Sequence, residues 1–331
     1  MRGLGKWVWR GLLALIVVLV IAFLIFRTPD TDAAEMRAKY GGAPSQFIDI
    51  GDGVTVHLRD EGPKDAPAIV LLHGSNADLH TWEPWVTALK SQYRVIRFDQ
   101  VGHGLTGPDP KHDYSRANYV ADVLAVADNL GLERFILGGN SMGGKHALAF
   151  ASAHPQRVAG LVLVDASGGP MPQDKATSKN SGGGNIGFAI ARMPGINLLV
   201  EQITPRSLIA QSLEQTVTVK SIVTEPMIDR YWELLRYPGN RRATLTRFSQ
   251  PHESLTEAEI AAVTAPTLIL WGEDDRLIPV AAGQWLARVM PNAQITIYPD
   301  IGHLPQEEAP AATLGDLLPW LAEHASAANT R

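Results

Sequence analysis

The chain contains no cysteine. That excludes disulfides, thiolate metal sites and a thiol nucleophile together, and it lets the fold form in either redox compartment. A charge excess is missing too. Twenty-nine Lys and Arg stand against 34 Asp and Glu, for a net charge of −5 and a pI near 6.1. Without a Lys/Arg stripe, nucleic acid is not an expected partner. There is no internal repeat, so solenoids and propellers drop out. What remains, 45% hydrophobic and 19% charged over 331 residues, is ordinary globular composition. The length suits two average domains or one α/β domain with an insertion.

Long apolar runs are scarce, with one exception. Gly11 to Phe26 carries no charge, and Trp7, Trp9 and Arg10 precede it. Including residues 7–10, with Arg10 snorkelling, the run gives about 30 Å of helix, enough for a bilayer. Arg2, Lys6 and Arg10 lie on one side of it, and Asp30, Asp32 and Glu35 are among the charges on the other. The positive-inside rule then keeps the N-terminus cytoplasmic and exports the rest. A cleaved signal peptide is the competing reading. The run is long for one, and Thr31-Asp32-Ala33 is a poor small-x-small cleavage site. An uncleaved membrane anchor over residues 1–31 is therefore expected, with the catalytic part extracytoplasmic.

Beyond a polar linker at 32–45, apolar β-like runs alternate with helical patterns. Phe47 to Ile50 and Val54 to Leu58, joined by Gly51-Asp52-Gly53, read as a hairpin. Ala68 to Leu72, Tyr93 to Phe98, Phe135 to Leu137, Val158 to Val164, Thr267 to Trp271 and Ile295 to Tyr298 read as strands. Helices are expected around Trp82 to Leu89 and over Tyr114 to Leu130, Ala281 to Met290 and Ala311 to His324. This rhythm predicts a parallel sheet covered on both faces. From about Met171 to Gln250 the strands cease, and helical patterns imply an insertion of roughly eighty residues. The domain reading is an anchor at 1–31, a linker at 32–45, core at 46–168, a helical cap at 169–252, core at 253–325 and a tail at 326–331.

The chain is organised around Gly139-Asn140-Ser141-Met142-Gly143, a G-x-S-x-G between a strand and a helix. A serine at the apex of so tight a turn adopts strained dihedrals, and its neighbours must be glycine to avoid collision. Serine is a weak nucleophile, so it needs a base, a group to orient that base, and oxyanion donors. In an open α/β sheet these lie at the carboxyl ends of strands. His303, on the loop after the last strand, is the best-placed base of ten histidines. His73 and His103 also follow strands, and His73 reads as a hydrogen-bonding support for its own loop. His146 and His154 read as packing or surface residues. The acid is Asp274, Asp275 or Asp165, each just beyond a strand. The Met142 N–H is one oxyanion donor. The other is Ser75, with Asn76 next.

These pieces together resemble the α/β-hydrolase superfamily over roughly Phe47 to Ala325. The matching motifs are His73-Gly74, Asp99-x-x-Gly102-x-Gly104, the Gly139 to Gly144 elbow, Gly272-x-x-Asp275-x-x-x-Pro279, and Gly302-His303 with Glu308-x-Pro310. The resemblance implies a mostly parallel eight-stranded sheet with helices on both faces and a helical cap after the sixth strand. It also implies Asp275 as the acid, completing Ser141, Asp275 and His303, with no cofactor or metal. The Gly-Asn-Ser-Met-Gly-Gly elbow is similar to that of carbon–carbon bond hydrolases acting on ring-fission products of aromatic degradation. Those enzymes usually place a tryptophan after the catalytic histidine, where this chain has Leu304, and they are usually soluble. A membrane-anchored serine hydrolase of small-molecule carboxylic esters is thus the leading expectation, with carbon–carbon cleavage the alternative. Haloalkane dehalogenases and epoxide hydrolases use an aspartate at the elbow, which Ser141 opposes. A non-enzymatic tethered binding protein is the third class, opposed by the complete triad.

Substrate choice is expected to lie with the cap. Phe188, Ile190, Met193, Ile196, Leu198, Leu199, Trp232 and Leu235 either line a pocket or pack the cap helices together. The glycine run at 182–184 reads as a hinge or a surface loop.

Overall fold

The computed structural model describes residues 2–169, 186, 189, 201–250 and 254–329. The apolar runs form strands buried along their whole length. They are β3 (Ala68–Leu72), β5 (Phe135–Asn140), β6 (Val158–Val164) and β7 (Thr267–Gly272). With β1 (Ser45–Asp49), β2 (Thr55–Glu61), β4 (Arg94–Phe98) and β8 (Ala293–Tyr298) they make one eight-stranded sheet in the order β1-β2-β4-β3-β5-β6-β7-β8. Only the β1–β2 and β2–β4 pairs are antiparallel. The β1–β2 connection takes positive φ at Asp52 and Gly53, as an aspartate-glycine hairpin pair requires.

Each sheet face buries its own apolar layer. On one side α4 (Arg116–Asn129) contributes Tyr119 and Val123, and α5 (Met142–Ala153) contributes Leu148 and Phe150. On the other, Trp85 of α3 (Glu83–Leu89) packs with Leu317 and Trp320 of the helix Pro310–His324. Trp85 also donates its indole N–H to Thr313 Oγ1 at 3.0 Å. Burying a large apolar side chain contributes about 1.5–3 kcal/mol, so these two layers fix the sheet that carries the site.

Between β6 and β7 the described residues are helical: Arg206–Thr216, Glu225–Leu235 and Asn240–Ser249. Leu213, Val217, Met227, Ile228 and Tyr231 of this insertion pack with Ala77 and Leu304, which flank the catalytic edge of the sheet. Phe188, Ile190, Met193, Ile196, Leu198, Leu199 and the glycines at 182–184 lie outside the described residues.

The N-terminal helix α1 (Arg2–Phe26) is, among the described residues, the one helix long and apolar enough to cross a membrane. One expectation needs correction here. The segment read as a linker at 32–45 carries a helix, α2 (Ala33–Tyr40), capped by Asp32, whose side chain accepts from the Glu35 N–H at 2.8 Å. Its single buried residue, Met36, docks against Leu105, Leu234 and Tyr237. One apolar anchor in eight polar residues leaves no helical period to read.

Candidate active site

Ser141 sits between β5 and α5 with φ 53° and ψ −116°, a strained conformation for a non-glycine residue. The close packing around it explains the glycines. A Cβ on Gly143 would lie 2.2 Å from the Leu72 carbonyl oxygen, and one on Gly139 would lie 2.3 Å from the Gly143 carbonyl carbon. The turn is further held by the Ser141 N–H donating to Val164 O at 3.0 Å and by Ser167 N–H donating to Ser141 O at 3.0 Å.

His303 lies on the loop after β8, and its Nδ1 is 2.7 Å from Asp275 Oδ2. Both side chains are buried. Asp275 Oδ1 accepts from the N–H groups of Leu277 and Ile278, at 2.7 and 3.0 Å. A carboxylate so held cannot swing, and it fixes the imidazole with Nε2 as its free nitrogen. Asp274 is exposed and makes no contact with His303. His303 and Ser141 line one cavity, together with Ser75, Asn76 and Asn140.

Asp165 turns out to be part of the same cluster. Fully buried, it accepts from the Gly272 N–H at 3.1 Å, and its carboxyl lies close to that of Asp275. Burial first, and then the neighbouring Asp275 charge, hold Asp165 well above the usual carboxylate range. Both causes favour the protonated form of Asp165. The ligating atoms of Asp165, Asp275 and His303 lie within 4.8 Å of one another. Within it His303 and Asp275 are joined directly at 2.7 Å, and Asp165 packs against that pair.

For the oxyanion, the expected donors are the N–H groups of Met142 and Ser75. Neither has an acceptor among the described residues. Ser75 lines the cavity and its buried Oγ also has no partner among the described residues. Met142 is buried, with its sulfur against Arg247. Asn76 takes a positive φ of 60° and accepts through Oδ1 from Thr244 Oγ1 at 3.1 Å and Arg247 Nη2 at 3.4 Å. Arg247 thus places a cation beside both loops that would hold an oxyanion, and it pairs with no carboxylate among the described residues.

The remaining buried histidines are engaged elsewhere. His73 Nδ1 lies 2.7 Å from Gly74 O, and its Nε2 accepts from the Gln100 N–H at 3.0 Å. His146 Nδ1 contacts Gln100 Oε1 at 2.6 Å and the ring stacks on Tyr119. Burial lowers His73, and lowers His103 and His146 well below the ordinary histidine value, so all three stay neutral.

Three supports escaped the sequence reading. Asn140 donates from Nδ2 to Val164 O and to His303 O, both at 3.1 Å, linking the elbow to the histidine loop. Glu308 accepts the N–H groups of Gly302 and Leu304, on either side of His303, and those of Thr218 and Val219 in the insertion. Asp165 was considered only as a rival acid. Each acts through contacts more than twenty residues distant or through backbone groups, which a linear motif does not encode.

Comparison with known proteins now adds to this geometry. Residues 69–316 match the Alpha/beta hydrolase family. A 2-hydroxy-6-oxononadienedioate/2-hydroxy-6-oxononatrienedioate hydrolase of Cupriavidus pinatubonensis is 33% identical over 292 residues, covering 83% of this chain and 94% of that protein. A 2-hydroxymuconate semialdehyde hydrolase of Pseudomonas putida is 27% identical, covering 80% and 92%. Among solved structures, a meta-cleavage product hydrolase from Pseudomonas fluorescens IP01 matches with a TM-score of 0.71 at 23% identity, covering 84% of this chain and 97% of that one. These relatives correct the leading expectation from sequence. Carboxylic ester cleavage is overturned as the main reading, because relatives 30% and 33% identical over 80% and 83% of the chain are carbon–carbon bond hydrolases.

Proposed function

The chain belongs to the alpha/beta hydrolase family, and from that premise we propose that it hydrolyses a carbon–carbon bond in ring-fission products of aromatic compounds. The observation that carries the reading is the 33% identity to a dienedioate hydrolase over 94% of its length, in a chain whose His303–Asp275 pair and Ser141 share one cavity.

The chemistry follows from the residues. Ser141 Oγ attacks the ketone carbon of a 2-hydroxy-6-oxo-dienoate, and His303 Nε2 takes its proton. The N–H groups of Met142 and Ser75 hold the oxyanion. Breaking the carbon–carbon bond needs a leaving carbanion, so the enol proton of the dienoate first shifts from the 2-hydroxyl to C5, giving a 2,6-diketone. The C5 carbanion released on cleavage is then delocalised into the C4=C3–C2=O enone while His303 Nε2 returns the serine proton to it. Water, activated by the same imidazole, then releases the acid from Ser141. Arg247, close behind Asn76 and Met142, supplies a positive field suited to an anionic substrate.

The insertion between β6 and β7 acts as a cap that shapes the substrate side of the cavity, through residues such as Leu208, Tyr231 and Leu235. α1 acts as a single membrane span, with the catalytic part on the extracytoplasmic side. The test is absorbance decay of a purified 2-hydroxy-6-oxo-dienedioate with the full chain in detergent. Turnover that exceeds that of simple esters supports the reading, and no turnover of any ring-fission dienoate rejects it.

A further inference from the structure

The segment that follows α1 is bonded to the wall of the catalytic cavity. α1 ends at Phe26, and Thr28 stands two residues on. The Thr28 N–H donates to Gln202 O at 2.9 Å. Its Oγ1 accepts from the Thr204 N–H at 2.7 Å, and its carbonyl accepts from Arg241 Nη1 at 2.8 Å. Arg241 Nη2 donates to Asp30 Oδ1 at 2.7 Å, and Arg236 Nη1 donates to Pro29 O at 3.1 Å. Thr204 and Arg241 line the same cavity as Ser141 and His303, and both are buried beneath this strap.

Chain geometry turns these bonds into a constraint. Two residue steps reach at most about 7 Å. The run Trp9–Phe26 has a mean hydropathy of 2.7 and none of it is buried in the protein. Its eighteen residues make about 27 Å of helix, close to the thickness of a hydrocarbon core. With that run in a bilayer, Phe26 lies at the interface, and the cavity wall at Thr204 must lie within a headgroup layer of it. A free linker would let the catalytic part drift away. Here the charge-assisted Arg241–Asp30 bond and four companions hold the strap down, so it cannot. The insertion also gives the cavity an apolar lining of Leu208, Ile209, Leu213 and Leu245.

We propose that the cavity of Ser141 and His303 faces the bilayer and takes amphiphilic substrates, a polar reacting head on an apolar tail, directly from the lipid phase. The strap at 28–30 forms the membrane-side wall of that entry. This rests on α1 spanning the membrane and on Ser141 as nucleophile, both part of the reading above, and it extends that reading to ring-fission products with lipid-soluble tails.

The test uses two fluorophosphonate probes, with short and long alkyl chains, on the full chain in vesicles of equal parts phosphatidylcholine and phosphatidylglycerol. In either probe Ser141 Oγ bonds to phosphorus, fluoride leaves, and the serine proton passes to His303. The probes thus report access to Ser141 whatever bond the enzyme cleaves. A second protein carries a helical spacer of about fifteen residues, roughly 22 Å long, between Arg27 and Thr28. The spacer lifts the strap and cavity off the surface without altering either. The long-chain probe should label wild type faster than the short one, and the spacer should cut that advantage about tenfold or more. Short-chain labelling should stay unchanged. An advantage that survives the spacer, or is absent in wild type, overturns the proposal, as does failure of both probes to label folded wild type. If the spacer disturbs the fold, seen as lost short-chain labelling, dilution of the wild-type vesicles with lipid decides. Labelling by the long-chain probe must then follow its surface fraction, and dependence on bulk concentration alone overturns the idea. Probe ratios as expected, with no dienoate turnover, would remove carbon–carbon cleavage and leave membrane access standing.

Discussion

His303 Nδ1 lies 2.7 Å from Asp275 Oδ2, with both side chains shut off from water. The second Asp275 oxygen is held by two backbone N–H groups. Asp275→Asn keeps the shape but loses the charge that steadies the imidazolium, so kcat should fall by about 10²–10⁴. Asp274→Asn, at an exposed residue, should change kcat by less than about twofold. Steady-state kinetics of the two variants distinguish these neighbours.

Asp165 predicts a different pH response. Its proton is retained in the folded state, where burial and then the Asp275 charge raise it well above the ordinary value. The unfolded chain releases that proton near the usual 3.8. Stability contributed by the protonated form is therefore greatest at low pH, and it is lost as pH rises from there toward the folded-state value. Asp165→Asn keeps a neutral acceptor for the Gly272 N–H. It should retain kcat within about threefold at pH 7, with a flatter stability profile on the alkaline side. Denaturation midpoints from pH 5 to 9 check this.

Glu307 should behave in the same sense in a narrower window. Burial pushes it up to about 7, against the pull of Arg230 and the Thr81 hydroxyl. Its stabilising protonated form is complete below about 4.5 and is lost as pH rises through about 7, at a cost of at most about 3 kcal/mol. Glu307→Gln should remove that slope, measured by urea unfolding at pH 5 and pH 8.

Gly143→Ala tests the packing of the elbow. The added Cβ would meet the Leu72 carbonyl at 2.2 Å, and that strand is buried on both faces. We expect destabilisation of about 1–3 kcal/mol or more and loss of Ser141 labelling, read by thermal melting alongside probe reactivity.

The core was legible because buried parallel strands leave continuous apolar runs, as in Ala68–Leu72 and Val158–Val164. The grouping of Ser141, Asp275 and His303 was legible because each follows a strand inside a short motif. α2 was not, since Met36 alone of its residues is buried. The Asp165–Asp275 contact joins segments 110 residues apart, and a lone aspartate after β6 reads equally as a solvated turn. The ester expectation failed for a related reason. The triad does the same proton transfers for an ester or a vinylogous ketone, so nothing at Ser141 itself separates them.

The central claim is that Ser141 cleaves a carbon–carbon bond. It is tested most directly by incubating wild type and Ser141→Ala with a 2-hydroxy-6-oxo-dienedioate and following the dienolate absorbance and the two acid products. The account predicts both acids from wild type, and a rate lowered by about 10³ or more in the variant. Intact dienedioate after prolonged incubation with folded wild type, or equal product formation by Ser141→Ala, would contradict it.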